Sequence, residues 1–178
     1  MGDGEWHHRR EAAASRLYSA SFGAIAAGDE GRFYKKDDVI GWYLFLVEAL
    51  LDHPWNYDPT FGSRVIPIFN ALGRNAASLA AMSGIEIRMQ EILHKNRKQP
   101  NGGLFELLVA CCYARAGGQV LFRKERPGKD KSHDMDVVIH GKAWAVECKR
   151  METSAYGEAE RSRIRYLWKG ACQLLCEK

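Results

Sequence analysis

The stretch DMDVVIHGKAWAVECKR, residues 134 to 150, reads as two short apolar runs joined at His140-Gly141, with Asp134 and Asp136 opening the first and Glu147 and Lys149 closing the second. Side chains alternate faces along a strand. A two-residue turn at His140-Gly141 makes Ile139 the partner of Lys142, and counting outward brings Asp134 opposite Glu147. Cross-strand neighbours stand about 5 Å apart at Cβ, so two carboxylates there repel unless something positive lies between them. A hard divalent cation meets that need. Mg²⁺ or Mn²⁺ takes carboxylate and water oxygens and keeps positions open for a substrate phosphate. Lys149 projects from the same strand face as Glu147, where an ammonium can orient and help deprotonate an attacking water.

A third acid, Glu106, sits near the start of the otherwise apolar segment LFELLVACCYAR. Burying a lone carboxylate there is costly, and the same cation is its expected partner. Two plainer roles stand beside these. Asp136, on the same strand face as Asp134, is the alternate metal ligand and otherwise a structural hydrogen-bonder; Glu106 is otherwise a helix-start acid favoured by the macrodipole.

The elements that must position these groups begin with LFELLVACCYARAGG, an apolar helix stopped at Gly117-Gly118. QVLFRKE then reads as a strand, ERPGKDKSH as a basic loop, and DMDVVI and AWAVECK as the hairpin strands. EAERSRIRYLWKGACQLL reads as a final helix. The front hundred residues are helical in pattern. A helix is expected from about Asp37 to Asp52, another after Asp58-Pro59 that is interrupted or begun near Pro67, and a third in IEIRMQEILHKNRK, where Ile85, Met89, Ile92 and Leu93 fall at helical spacing. The first thirty residues read as a loosely attached helix or arm. KNRKQPNGG, residues 95 to 103, is the expected linker between regions 1–100 and 101–178. Trp42, Tyr43, Phe45, Trp55 and Tyr57 read as core of the helical region.

Composition fits a soluble globular chain: 178 residues, 46% hydrophobic and 27% charged. The apolar runs are too short to span a bilayer, and MGDGEWHHRR lacks the apolar segment of a signal peptide, so a cytoplasmic protein is expected. Five cysteines without a CxxC pair argue against a zinc or disulfide scaffold and for free buried thiols. His53, His94 and His133 lack ligand spacing. The net charge of +4 is unevenly spread: residues 29–60 carry three basic and seven acidic groups, whereas 120–133 carry five and two, and 149–178 seven and four. Basic surplus on both sides of an acidic strand pair suits a polyanion. Lys131, Arg150, Arg161, Arg165 and Lys169 are the candidate nucleic-acid contacts, Arg161 and Arg165 lying one helical turn apart.

Glu106 on a helix, Asp134 opening a strand, the Gly141 turn and Glu147-Cys148-Lys149 on the next strand resemble the PD-(D/E)xK nuclease superfamily, with its restriction-endonuclease-like fold. The pattern is most similar to the archaeal Holliday-junction-resolvase and Mrr-like branches and covers about residues 101 to 176. The resemblance implies a helical N-terminal region followed by an α/β core of helix, three strands and helix. It implies a Mg²⁺- or Mn²⁺-dependent phosphodiesterase acting on nucleic acid, DNA favoured, with Glu106, Asp134 and Glu147 as metal ligands and Lys149 as catalytic lysine. His133 stands where the family has its proline. The family's fourth strand would follow the last helix, and the chain stops at Glu177-Lys178, so the reading allows for a chain truncated before it. A homodimer is compatible with cutting both strands of a duplex, although no residue pattern shows one. The alternative reading keeps the fold as a nucleic-acid-binding or regulatory module without catalysis. A third makes the chain a helical interaction protein.

Overall fold

The computed structural model describes residues 2–22, 33–123, 133–149, 162–164 and 166–167. It divides into two compact units, 1–148 and 149–178, each considered by itself. Within the first unit the chain is mixed α/β and mostly helical. Helix α1 spans Asp3–Ser21, α2 Val39–Asp52, α3 Pro59–Arg74, α4 Ala76–Ala80, α5 Ile85–Gln90 and α6 Asn101–Arg115. Strands β1 (Gln119–Phe122), β2 (Met135–Ile139) and β3 (Lys142–Val146) follow and form one antiparallel sheet in the order β1-β2-β3. In the second unit, residues 162–164 and 166–167 are helical, within the expected last helix.

Local chemistry accounts for the helix ends. Asp38 caps α2 by accepting from the Gly41 N–H at 3.2 Å, and Asp58 caps α3 by accepting from the Phe61 N–H at 2.9 Å. Pro59 occupies the first turn of α3, where a missing N–H costs nothing. Contrary to expectation, α3 neither starts nor stops at Pro67 but runs through it, its buried Val65 and Leu72 outweighing the lost backbone bond. Helix α6 ends at the expected glycines. Gly117 takes φ +81°, the Gly118 N–H reaches the Tyr113 carbonyl at 2.9 Å, and the Gly117 N–H reaches that of Ala114 at 3.0 Å.

The main core packs α6 onto one face of the sheet. Leu104, Leu107, Ala110 and Cys111 of α6 meet Val120, Phe122, Met135 and Val137, and Ile40, Leu72, Leu79, Met82 and Ile92 close the other side. Residues on both sides of the 95–103 segment thus contribute to one core, and Pro100 within it is fully buried. Each such aliphatic side chain contributes about 1.5–3 kcal/mol. The opposite sheet face carries Leu121, Val138 and the alanines of β3, which are exposed.

A second cluster joins α1 to α2. Ala13, Trp42, Phe45, Leu46 and Ala49 pack with Trp6, Leu17, Tyr57 and Phe61. The N-terminal helix is therefore docked, not a loose arm. Its sequence hid this because it docks through alanines and ion pairs: Arg9 bonds both oxygens of Asp38 and the Leu93 carbonyl (3.2 Å), and Arg10 meets Glu48 at 2.7 Å. Trp55 also departs from expectation. It is 98% exposed on the short turn Pro54–Asn56, whereas Trp42 and Phe45 are buried.

Asp38 thus serves two elements, as cap of α2 and as the carboxylate held by a largely buried Arg9. Asp38→Ala is expected to cost clearly more than Asp58→Ala, which loses only a cap worth about 1 kcal/mol. Urea denaturation of the two variants beside the parent protein measures the difference.

Candidate functional site

The hairpin turn falls where the sequence puts it. His140 and Gly141 take φ of +51° and +71°, the pair of left-handed residues that a two-residue turn between twisted strands requires. Ile139 pairs with Lys142, and the ladder continues through Val137↔Trp144 to Met135↔Val146. The ladder stops there, one residue short of the expected pair Asp134 and Glu147.

At Asp134 the regular ladder ends and three bonds converge on one residue. Its carbonyl accepts the Arg123 N–H at 2.9 Å, the bond that antiparallel pairing with β1 predicts. The reciprocal bond is absent: the Asp134 N–H turns to the Val146 carbonyl at 3.1 Å. Its side-chain Oδ2 accepts the Cys148 N–H at 2.6 Å, which fastens the chain just beyond β3. The Arg123 carbonyl, relieved of Asp134, receives Arg88 Nη2 at 3.4 Å instead.

Arg88 is the residue that sequence reading missed. It is 4% exposed, lies 3.1 Å from both Glu91 and Glu106 through its guanidinium nitrogens, and sits over the Phe122 ring at 5.9 Å. A signal existed. Arg88 stands three residues after Ile85 and four before Ile92, inside the apolar stripe of its helix, where an arginine needs a buried acid. Beside Glu106, where the sequence leads one to expect a metal ion, stands a guanidinium. Helix α5 passes into a π-turn over Glu91–Lys95, which carries the Glu91 partner.

The Cys148 thiol ties the acids together. Burial pushes it up to about 11, helped by the negative charges of Asp134, Glu106 and Glu147 and opposed by Arg88. All four charged groups therefore share the neighbourhood of one sulfur. Cys111 is buried as expected, but Cys112 is exposed. Glu147 is exposed, while Asp134 and Glu106 are partly buried.

Asp136 takes the plainer of its two roles. Its carboxylate is held by Arg123 and by His133 on the sheet. Burial alone would raise its pKa, but the bonds from His133 and Arg123 outweigh that and hold it below the ordinary 3.8. His133 accordingly serves Asp136.

The donor set consists of hard carboxylate oxygens of the kind Mg²⁺ takes. Among the described residues, however, no three His, Cys, Asp or Glu side chains are gathered as a metal ion requires. Asp134 is engaged with the Cys148 amide and Glu106 with Arg88, so as folded the acids share a region without sharing a point. Lys149 is exposed and opens the second unit. Lys131, Arg150, Arg161, Arg165 and Lys169 lie outside the described residues. No helix among the described residues is long and apolar enough to cross a membrane.

No protein-family model, curated protein or solved structure matches this chain.

Two outcomes are expected from this geometry. Arg88→Ala strands Glu106 in a partly buried site and should cost about 3–5 kcal/mol, measured by urea denaturation. Because Asp136 is held below its unfolded value, its contribution is present above the ordinary carboxylate range and is lost as pH falls through the folded value. The stability gap between Asp136→Asn and the parent protein should therefore close on acidification from pH 5 towards pH 2.

Proposed function

We propose that the protein is a metal-dependent nuclease that hydrolyses phosphodiester bonds, most readily in DNA, with a restriction-endonuclease-like core over α6, β1, β2 and β3. The observation that carries this reading is the 2.6 Å bond from the Cys148 amide to the Asp134 carboxylate. It holds the acid that opens β2 against the middle residue of Glu147-Cys148-Lys149, and the helix-borne Glu106 lies near the same thiol. The order of helix, three antiparallel strands and acid-x-lysine supports the same reading.

In this proposal Asp134, Glu147 and Glu106 would hold Mg²⁺ or Mn²⁺. When bound, the ion supplies positive charge for the developing phosphorane and an acidified water. Lys149 positions the attacking water and takes up or balances its proton. Asp134 orients the tripeptide through the Cys148 amide. The basic groups Lys131, Arg150, Arg161, Arg165 and Lys169 draw the phosphate backbone in. A homodimer would supply one site per strand of a duplex.

The pairing of Glu106 with Arg88 favours one other reading, a nucleic-acid-binding module that keeps the fold without cutting. An internal guanidinium then does permanently what a metal would do on loading.

Incubation of the purified chain with plasmid and with branched duplexes separates the two. Cleavage is expected with Mg²⁺ or Mn²⁺ and not with EDTA, and Glu147→Ala and Lys149→Ala should each abolish it. Mn²⁺ should also raise the melting temperature of the parent protein, since a ligand that binds only the native state stabilises it. Cleavage that survives EDTA or Lys149→Ala rejects the mechanism; salt-dependent binding without turnover establishes the module.

A further inference from the structure

Helix α6 and strand β3 flank an opening at the hairpin-turn end of the sheet. On α6, Tyr113 follows Glu106 by seven residues, two helical turns or about 10 Å. On β3, Trp144 precedes Cys148 by four residues, about 13 Å of strand. Trp144 pairs with the buried Val137, and Lys142 with Ile139, so both lie on the sheet face that α6 covers. At this end the cover is incomplete. Tyr113, Ile139, His140, Lys142 and Trp144 line an opening of about 440 Å³, and Trp144 remains 55% exposed.

The lining is specific in kind. Two aromatic rings stand with an ammonium and an imidazole. Aromatic faces accept any base by stacking, and a nearby lysine offers a phosphate its counter-charge. A simple hydrophobic partner would make no use of Lys142 and His140. An unpaired nucleotide uses both halves of the lining, and a volume of this size is ordinary for a small-molecule group.

We propose that this cleft binds one unpaired nucleotide of a single-stranded stretch of nucleic acid, its base stacked on Trp144 and Tyr113 and its phosphate on Lys142. The inference rests on the reading of the protein as one that acts on nucleic acid, and it adds a preference for substrates with unpaired nucleotides.

The test is binding of an end-labelled single-stranded oligonucleotide by fluorescence anisotropy, using the full chain in EDTA so that nothing is cut. Trp144→Ala should weaken binding about tenfold or more, and Trp144→Phe should keep most of the affinity. Replacing the oligonucleotide by its abasic counterpart should weaken the parent protein to the level of Trp144→Ala and leave that variant unchanged. Lys142→Ala should reduce the slope of log affinity against log salt by about one phosphate contact. Circular dichroism confirms that each variant is folded, and the abasic comparison needs no variant at all. Affinity indifferent to Trp144→Ala or to loss of the bases overturns the proposal, as does a dimer that Trp144→Ala dissociates, which would make the cleft a protein contact. The outcome is separable from the nuclease reading. A chain that binds through Trp144 without cutting rejects only the enzyme, and one that cuts while ignoring Trp144 rejects only the cleft.

Discussion

Arg88 has been taken out of water where a helix, a π-turn, α6 and β1 meet, and its charge must be matched there although its Nε and the facing Glu106 Oε2 make no well-aligned hydrogen bond. Glu91 and Glu106 supply charge at 3.1 Å each, the Arg123 carbonyl supplies a longer bond, and Phe122 supplies a ring face. A guanidinium is suited to this because it is weakly hydrated and planar, whereas a lysine would offer a single charge and no ring-stacking surface. Such a pair adds little net stability over an apolar replacement, but removing one partner leaves a buried charge. The arrangement therefore specifies where α6 lies against the sheet more than it strengthens the contact. With α6 goes Glu106, and with the Arg123 carbonyl goes the freedom of Asp134 to turn towards β3.

What local rules decide could be read from the sequence. The acids ahead of α2 and Asp58-Pro59 announced their helices, Gly117-Gly118 announced the end of α6, and His140-Gly141 set the register of the hairpin. What tertiary packing decides could not. Helix α1 has no strong apolar stripe, and its docking depends on Arg9 finding Asp38 twenty-nine residues away. Pro67 reads as a break and is overruled by burial around it. Trp55 reads as core because an aromatic residue beside a buried helix usually is, yet its position on a short turn leaves it in solvent.

The acids show the same division. That Glu106 needs a positive neighbour followed from the cost of burying a carboxylate, and the neighbour exists. Whether it would be an ion from solution or an arginine eighteen residues upstream is invisible in the spacing, since both satisfy the same electrostatic demand. Asp136 illustrates the reverse case. Its face and spacing fit a ligand, and two protein donors, Arg123 and His133, occupy it instead.

The bond from Asp134 to the Cys148 amide has a thermodynamic consequence of its own. One carboxylate oxygen serves as main-chain anchor for the residues beyond β3, so anything positive that takes hold of that oxygen competes with the anchor. Linkage makes the competition reciprocal: whatever loosens the backbone at Cys148 makes Asp134 more receptive, and whatever occupies Asp134 loosens the backbone by the same free energy. Occupancy of that oxygen and order of the backbone at Cys148 are thereby two readings of a single equilibrium.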